Sequence, residues 1–273
     1  MSEQPGGLIA SAGWAVVHLF YRVDRARWQG LPAAERAAAV DAFGGWLERS
    51  LAEEGLQLLP FAGVTKCDVG FMAVHPDLWR VQQLTQEIAA SGFGCCLTPV
   101  YSFLSLTEAS EYITNEVDWG KLLITEQKLD PAVPEFAARF AALRQRTAMY
   151  AESRIHPQLP DNYPILCFYP MAKSRREPNN WYRLSFEERK KYMIAHGEAG
   201  RRFADRVTQL ITTSTGIDDW EWGVTLFSRD LKAIRDIVYE LRYDPASALY
   251  GLFGSFYIGI RFQPRQLAVV LKL

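Results

Sequence analysis

His196 is the most informative histidine of this sequence. The sequence repeats with an offset of 153 residues, and the position that matches His196 in the first half is aromatic. His196 precedes Gly197, and the residue 153 positions earlier is Phe43, which precedes Gly44. His196 also shares a predicted helix face with Tyr192, since residues four apart lie on one face. A neutral imidazole is a common metal ligand, so this position is a candidate ligand. A structural histidine packed on an apolar helix face is the commoner alternative.

A second group of reactive side chains begins at Tyr169 and includes Met171 and Lys173, followed by Arg175 and Arg176. Basic side chains beside tyrosine and methionine suit a large apolar ligand that carries carboxylates at its edge. The alternative is an ordinary solvated loop, because isolated basic clusters usually lie on the surface. The residue types alone leave both interpretations open.

Gln209 is the third candidate, 13 residues after His196 and at the start of the next predicted strand. A polar residue there would face the same cavity that His196 faces from its helix. The alternative is an ordinary glutamine at the end of a strand, which the residues alone favour.

These candidates lie in the second half of an internal repeat. The segment Trp28-Gln-Gly-Leu-Pro-Ala-Ala-Glu-Arg resembles Trp181-Tyr-Arg-Leu-Ser-Phe-Glu-Glu-Arg. At the same offset of 153 residues, Gly70 matches Gly223. A constant offset over such a distance indicates a duplication rather than chance.

Each half is predicted to contain the same elements: strand, amphipathic helix, two-stranded hairpin, helix and strand. In the first half the predicted bounds are 14–21, 33–54, 56–63 with 67–74, 76–90 and 98–106. In the second half they are 165–169, 185–207, 208–215 with 220–227, 229–241 and 254–262. This β-α-β-β-α-β order is that of a ferredoxin-like unit. The sequence therefore predicts an α+β protein in which two such units form a dimeric α+β barrel with the helices outside.

Three segments follow from this repeat. We predict an N-terminal ferredoxin-like unit over 1–125, a proline-rich connector over 126–163 and a C-terminal unit over 164–273 that carries the site. A helix is expected over 135–152 of the connector. An ordered connector is expected because a long structureless loop is uncommon in a compact chain.

Composition and charge narrow the functional classes. Hydrophobic residues are 49% and charged residues 22%, which excludes a disordered or fibrous chain. The net charge of −1 argues against binding to a polyanion through bulk positive charge. The four cysteines form no CxxC pair, so we expect four buried thiols in a reducing compartment. The acidic N-terminus lacks the basic start of a signal peptide, and we expect a cytoplasmic protein.

Several motifs of the second half, in this order and spacing, resemble the chlorite dismutase-like haem proteins, and more closely the coprohaem decarboxylases. The resemblance is dense over 163–260 and looser over 14–110. The family fold is a pair of ferredoxin-like units, commonly assembled as a homopentamer. The motifs are Cys167-Phe-Tyr-Pro-Met-Ala-Lys173, Asn180-Trp-Tyr-Arg-Leu-Ser-Phe-Glu-Glu-Arg189, His196-Gly197, Gly216-Ile-Asp-Asp-Trp-Glu-Trp-Gly-Val-Thr-Leu-Phe227 and Tyr239-Glu-Leu-Arg-Tyr-Asp-Pro-Ala-Ser-Ala-Leu-Tyr-Gly251.

The resemblance implies a role for each matching residue. His196 corresponds to the axial ligand of the haem iron, and Tyr169 to the redox-active tyrosine. Met171 corresponds to a pocket-wall residue near a propionate. Three further residues correspond to contacts with the reactive propionates: Arg154, Lys173 and Ser247.

Gln209 separates the branches of this family. The chlorite-degrading branch has an arginine at this position, where its charge can hold a developing oxyanion. A neutral glutamine brings no such charge and is the pattern of one decarboxylase branch.

The resemblance implies a hydrogen peroxide-dependent oxidoreductase. Its substrate and redox centre would be iron-coproporphyrin III (coprohaem). Decarboxylation of propionates 2 and 4 to vinyls, through a tyrosyl radical, would give haem b. The alternatives are a haem peroxidase, a chlorite dismutase-like enzyme, and a haem-binding or haem-delivery protein.

Overall fold

The computed structural model describes residues 7–113 and 116–273, and it is a mixed α+β structure with one large sheet. The strands of the first half are β1 (Ala15–Val23), β2 (Gln57–Gly63), β3 (Val69–His75) and β4 (Leu97–Thr107). The second half contributes β5 (Ile165–Lys173), β6 (Arg175–Arg176), β7 (Asn179–Asn180), β8 (Val207–Thr213), β9 (Trp222–Ser228), β10 (Gly251–Phe253) and β11 (Tyr257–Arg261).

Helices lie between and around these strands. They are α1 (Arg25–Gly30), α2 (Ala33–Leu51), α3 (Leu78–Ala90), α4 (Glu116–Lys121), α5 (Pro134–Ile155), α6 (Phe186–Arg201), α7 (Leu231–Leu241), α8 (Pro245–Ala248) and α9 (Leu267–Leu271). Short 3-10 turns cover Gly94–Cys96, Trp181–Arg183 and Pro264–Gln266, and a π-turn over Leu122–Glu126 continues α4.

The large sheet is antiparallel and closes on itself. Its strands follow the order β10-β5-β11-β2-β3-β1-β4-β8-β9, and β9 pairs again with β5. The two halves join through two pairings, β11 with β2 and β4 with β8. Closure leaves the principal strands with neighbours on both sides, so few backbone groups stand at an open edge. The predicted α+β class is confirmed, whereas the origin of the two halves by duplication stays a prediction.

Three apolar clusters explain how the helices attach to this sheet. Side chains such as Val16, Phe20 and Phe168 fill the inside of the closed sheet. A second cluster joins the outer face of the first half to α2 and α3, and includes Phe43 and Leu84. A third cluster joins the outer face of the second half to α7 and to the segment after α6. Successive strand residues point to opposite faces, which is why the halves each present one face inward and one face outward.

Two predicted bounds in the second half are wrong. The helix predicted to Val207 ends at Arg201, because the chain then turns and Val207 already pairs with Ser228 in the sheet. The strand predicted over 165–169 continues to Lys173 as β5, whereas the strand predicted over 254–262 is present as β11. Between β10 and β11, the N–H of Gly254 donates to the carbonyl of Pro170 at 2.8 Å, and a Cβ on Gly254 would lie 2.6 Å from the side-chain Cγ of Pro170, so glycine fits there.

The connector is ordered by contacts to the rest of the chain. Trp119 of α4 donates from Nε1 to Thr147 of α5 at 3.1 Å, and Thr107 donates to the carbonyl of Ile155 at 2.6 Å. The predicted helix 135–152 lies inside α5. The bounds of the three predicted segments stay a prediction.

The prediction of four buried thiols is wrong for one cysteine. Cys67, Cys96 and Cys167 are buried, but Cys95 is exposed on the turn that precedes β4. Among residues 7–113 and 116–273, no helix is both long and apolar enough to cross a membrane.

Candidate functional site

His196 is held by a buried carboxylate from a distant part of the chain. Its Nδ1 lies 2.8 Å from Oδ2 of Asp244, whose side chain is 5% exposed. Burial raises the pKa of Asp244, but the hydrogen bond and charge of His196, with bonds from Ser247, outweigh it and lower that pKa. An ionised carboxylate only accepts, so Nδ1 of His196 donates to it. The ring nitrogen left to bind a metal is Nε2.

Helix α6 begins with a capping box that fixes where His196 lies. The Ser185 side chain accepts from the backbone N–H of Glu188, and the Glu188 carboxylate accepts from the backbone N–H of Ser185. From this start, His196 and Ala199 lie on the turns that approach the sheet, and Ala199 is buried. The His196 side chain itself is 26% exposed, so it is not a sealed core histidine.

Tyr169 lies on β5, on the outward sheet face of the second half. It is 5% exposed and stacks on Phe256 with ring centroids 4.4 Å apart. Burial raises the pKa of the Tyr169 phenol well above its ordinary value, and the charge of Arg242 only partly opposes this. The phenol therefore keeps its proton over the physiological pH range.

Met171 and Lys173 follow on the same face of β5, because alternate strand residues share a face. Met171 pairs in register with Trp222 on β9 and with Phe253 on β10. Met171 is half-buried and packs against the same apolar cluster as Tyr169. Met171 therefore forms part of the apolar surface of this face.

Lys173 is a buried cation, not the exposed rim residue that its sequence context suggests. It is 6% exposed, donates from Nζ to the carbonyl of Ala246 at 2.8 Å, and lies 4.5 Å from the Trp181 ring. Burial lowers the pKa of Lys173 to about 8, against the opposing charges of Asp244 and Glu221. Lys173 is thus close enough to the Asp244 carboxylate for the two charges to interact.

Ser247 also lies beside this carboxylate, at the start of α8. Its backbone N–H donates to Oδ2 of Asp244 at 3.1 Å, and the residue is 7% exposed. The structure brings Ser247, Lys173 and His196 together around one carboxylate.

Gln209 lies on the sheet face that is turned toward α6. It lies on β8 in register with Leu226, and a Cβ placed on Gly200 would lie 3.4 Å from its side-chain Nε2. Gly200 is one helical turn after His196, so the two lie on the same side of α6. The amide of Gln209 and the imidazole of His196 therefore border the same space between sheet and helix.

Arg154 binds the strand that carries Gln209. Its guanidinium donates to the carbonyl of Ile211 at 2.9 Å and to that of Gln209 at 3.4 Å. A guanidinium has five N–H donors, so donors remain for a second acceptor. Arg154 thus stands at the β8 border of the site rather than beside Lys173.

Two residues of the site escaped the sequence prediction. Asp244 precedes Pro245, which is a helix-start signal that could have been found, but nothing in the spacing joins it to His196. Arg242 lies with its guanidinium carbon 3.9 Å from the centre of the Phe253 ring, close enough to Tyr169 for its charge to act on that phenol. Its place in the motif at 239–251 was the available signal.

The arrangement suits a flat apolar ligand that carries its own metal. One imidazole stands on α6, whose Gly200 approaches Gln209 on β8. The outward sheet face is lined by Tyr169, Met171 and Ile211. Cations stand around this face at Arg154 and Lys173. Within residues 7–113 and 116–273, no three His, Cys, Asp or Glu side chains group as a metal-binding set. A single axial imidazole fits a metal whose other ligands come from a prosthetic group such as a porphyrin.

The fold and site together define a class: a closed antiparallel α+β barrel with a carboxylate-anchored histidine on a helix outside it. The sequence profile described as chlorite dismutase matches residues 33–262. The chain belongs to the chlorite dismutase family.

Individual relatives agree with this assignment. A Thermus thermophilus protein described as heme-binding is 33% identical, with a TM-score of 0.79, and the match covers 99% of this chain and 100% of that one. A Natronomonas pharaonis protein, named as a candidate heme-binding protein, is 35% identical over 270 residues. That match covers 97% of this chain but only 42% of the relative's length.

A mutant chlorite dismutase from Candidatus Nitrospira defluvii is 16% identical, with a TM-score of 0.70 and 96% of both chains covered. At this identity the likeness concerns the fold alone.

Proposed function

We propose that this protein binds iron-coproporphyrin III and converts it to haem b by hydrogen peroxide-dependent oxidative decarboxylation. The observation that carries the proposal is the placement of Tyr169. Its protonated, buried phenol lies on the strand that also bears Lys173, on the sheet face bordered by the His196–Asp244 pair. A phenol in that position is a hydrogen-atom donor and acceptor next to cations that recognise carboxylates.

Binding is assigned to three kinds of group. Nε2 of His196 is the axial ligand, oriented by the Asp244 carboxylate. Apolar side chains of the sheet face cover the macrocycle. Lys173 uses one ammonium proton on the carbonyl of Ala246, which leaves two for a propionate carboxylate. Arg154 and Ser247 complete the proposed propionate contacts.

The iron porphyrin supplies the oxidising equivalents when it reacts with peroxide. For each propionate, the substrate loses one β-hydrogen and CO2 and keeps a vinyl group, while hydrogen peroxide and one proton become two water molecules. Tyr169 first gives up its phenolic hydrogen atom as an electron and a proton. The tyrosyl radical then takes a hydrogen atom from the propionate β-carbon and becomes a phenol again. The second electron passes to the iron centre as the carboxylate leaves.

Gln209 supports decarboxylation over chlorite degradation. Its amide borders the space that His196 borders from the opposite side. An amide is neutral, so it gives a developing oxyanion much less stabilisation than a guanidinium would. A haem peroxidase is a further alternative with the same binding groups.

The decisive experiment adds hydrogen peroxide to the purified coprohaem complex and follows the porphyrin by mass. We expect two successive losses, each equal to formic acid, as two propionates become vinyls. Bleaching of the porphyrin without these products would overturn the proposal. His196→Ala is expected to change the Soret band of the complex, and an unchanged band would remove His196 as the ligand.

A haem-binding or haem-delivery protein is the second candidate. It is favoured by the two relatives of 33% and 35% identity, which are described by haem binding rather than by a reaction. In this case the complex would form with the same axial histidine, and peroxide would yield no protohaem. Transfer of bound haem to an acceptor apoprotein would then be the measured activity.

We also propose that the protein is cytoplasmic, as its cysteine usage favours, and that it assembles as a homopentamer of two-unit chains, as the resemblance implies. Light scattering of the purified chain tests the assembly. A mass five times that of the 31.0 kDa chain is expected, and any other mass contradicts it.

A further inference from the structure

Two adjacent cysteines outside the proposed site lie with their sulfurs close together. Cys95 and Cys96 belong to the 3-10 turn between α3 and β4, and their Sγ atoms are 3.6 Å apart. This is close to contact distance for two sulfur atoms. Neither residue belongs to the face that carries Tyr169, because Cys96 lies in the apolar cluster of the first half.

The two thiols have opposite surroundings. Cys95 is exposed, and its thiol donates to the carbonyl of Gly92 at 3.1 Å. Cys96 is 1% exposed. Burial, and then the bond with Cys95, raises the pKa of the Cys96 thiol to about 11. One sulfur therefore meets solvent while its neighbour is a protonated thiol shielded from it.

The backbone around the pair is fixed at both ends. The N–H of Cys96 donates to the carbonyl of Phe93 at 3.0 Å, and the carbonyl of Cys96 accepts from Asp24 at 2.8 Å. The next residue, Leu97, begins β4. The two side chains are thus held beside each other on a fixed stretch of backbone.

We propose that Cys95 and Cys96 form a modification site that hydroperoxides oxidise reversibly to a vicinal disulfide. In the first step the Cys95 thiolate attacks a peroxide oxygen, the O–O bond breaks, and Cys95 becomes a sulfenic acid as hydroxide leaves. In the second step the Cys96 sulfur attacks the Cys95 sulfur. The S–S bond forms, and the sulfenic hydroxyl leaves as water with the Cys96 proton. One peroxide is reduced and two thiols are oxidised.

Geometry explains why this bond would be easily reduced. Consecutive Cα atoms lie about 3.8 Å apart across a trans peptide. Ordinary disulfides join Cα atoms about 4.4–6.8 Å apart, and departures from that range store strain. Strained and exposed disulfides have the more oxidising potentials, so cellular thiols reduce them readily. The pair therefore suits a reversible modification and not a structural crosslink.

The other two cysteines are matched controls within the same chain. Burial raises the pKa of Cys67 to about 11 and that of Cys167 to about 12. Both are buried and neither has an adjacent cysteine in the sequence. They are expected to stay reduced under peroxide that oxidises Cys95.

The test uses the purified chain before any porphyrin is added, so it does not depend on the proposed function. Hydrogen peroxide is added, remaining thiols are alkylated, and the peptide that contains Cys95 and Cys96 is weighed. We expect its mass to be lower than that of the reduced peptide by two hydrogen atoms, and we expect neither cysteine in it to be alkylated. A reductant should restore both thiols. Cys96→Ser should instead accumulate a sulfenic acid at Cys95 that dimedone traps.

Two results would overturn the proposal. In one, the wild-type peptide gains oxygen at Cys95 to the same extent as in Cys96→Ser, with no loss of hydrogen. In the other, the disulfide joins two chains, which a non-reducing gel shows as a dimer. Should Cys96→Ser fail to fold, the mass and reversibility of the wild-type peptide decide alone.

Discussion

Nδ1 of His196 lies 2.8 Å from Oδ2 of Asp244, which caps the short helix α8 and is itself nearly buried. The pair joins the helix that carries the proposed iron ligand to the loop after α7. A buried carboxylate fixes the ring orientation and raises the basicity of the other nitrogen. The site therefore depends on the contact between two elements that are 48 residues apart in the chain.

Removing the Asp244 carboxylate is expected to weaken iron porphyrin binding. Loss of such an outer partner costs about 10–100-fold in affinity, because the axial imidazole loses its orientation and part of its basicity. Asp244→Asn keeps a side chain that can cap α8. The variant therefore removes the negative charge beside His196 without removing the helix cap. Titration by the Soret band measures the affinity. Asp230→Asn is the control, since Asp230 caps α7 in the same way without touching His196. Equal affinities for the two variants would contradict the assigned role of Asp244.

Lys173 is expected to make stability rise with pH in mildly alkaline solution. Its pKa is lowered from 10.5 to about 8, so between these values the unfolded chain binds a proton that the folded chain does not. In that window the free energy of unfolding rises with pH, by about 3 kcal/mol at most over the full range. Lys173→Met removes the rise, and Lys191→Met, at an exposed position on α6, keeps it.

Urea unfolding of these variants at pH values from 8 to 9.5 measures the effect before most tyrosines ionise. A wild-type curve that runs parallel to that of Lys173→Met would show that Lys173 is not the group that titrates.

The sequence predicts those parts of the site that depend on residues close together in the chain. The positions of His196 on a helix and of Tyr169 on a strand follow from local periodicity. Met171 and Lys173 share a face with Tyr169 because β5 continues beyond the predicted strand 165–169. Contacts between distant segments leave no such signal. The pairing of His196 with Asp244 and the burial of Lys173 beside Trp181 and Ala246 arise only when segments far apart in the chain pack together.

The errors of the fold prediction have the same origin. Strand β5 continues past its predicted end because Met171 and Lys173 pair with β10, a segment more than 70 residues away in the chain. Cys95 lies on the 3-10 turn that precedes β4, where it is exposed although its neighbour Cys96 is buried. Composition predicted reduced thiols, but it could not tell which of two adjacent cysteines faces solvent.

Tyr169→Phe is expected to retain coprohaem binding and to lose decarboxylation. The phenylalanine ring can still stack on Phe256, so only the hydroxyl that exchanges a hydrogen atom is removed. The rate of protohaem formation should fall by roughly 100-fold or more, which corresponds to about 2.7 kcal/mol in the barrier. The assay follows product mass after peroxide addition, with the Soret band as the measure of binding. Tyr101→Phe, at a tyrosine packed against the cluster inside the barrel, is the control. Product formation by Tyr169→Phe at the wild-type rate would rule out a radical on Tyr169.

Gln209→Arg is expected to bring chlorite-degrading activity into the haem-loaded protein. Gly200 has no side chain where the Gln209 amide approaches α6, so the side chain at position 209 reaches the helix that carries His196. A guanidinium there supplies the positive charge that an oxyanion needs, and one such donor is worth about 10²–10³ in rate. Oxygen release from chlorite measures the activity. Gln209→Met has nearly the same length without the charge, so it should stay inactive. If both variants release oxygen equally, pocket shape decides the reaction, and the neutral charge of Gln209 does not explain why this chain would favour decarboxylation.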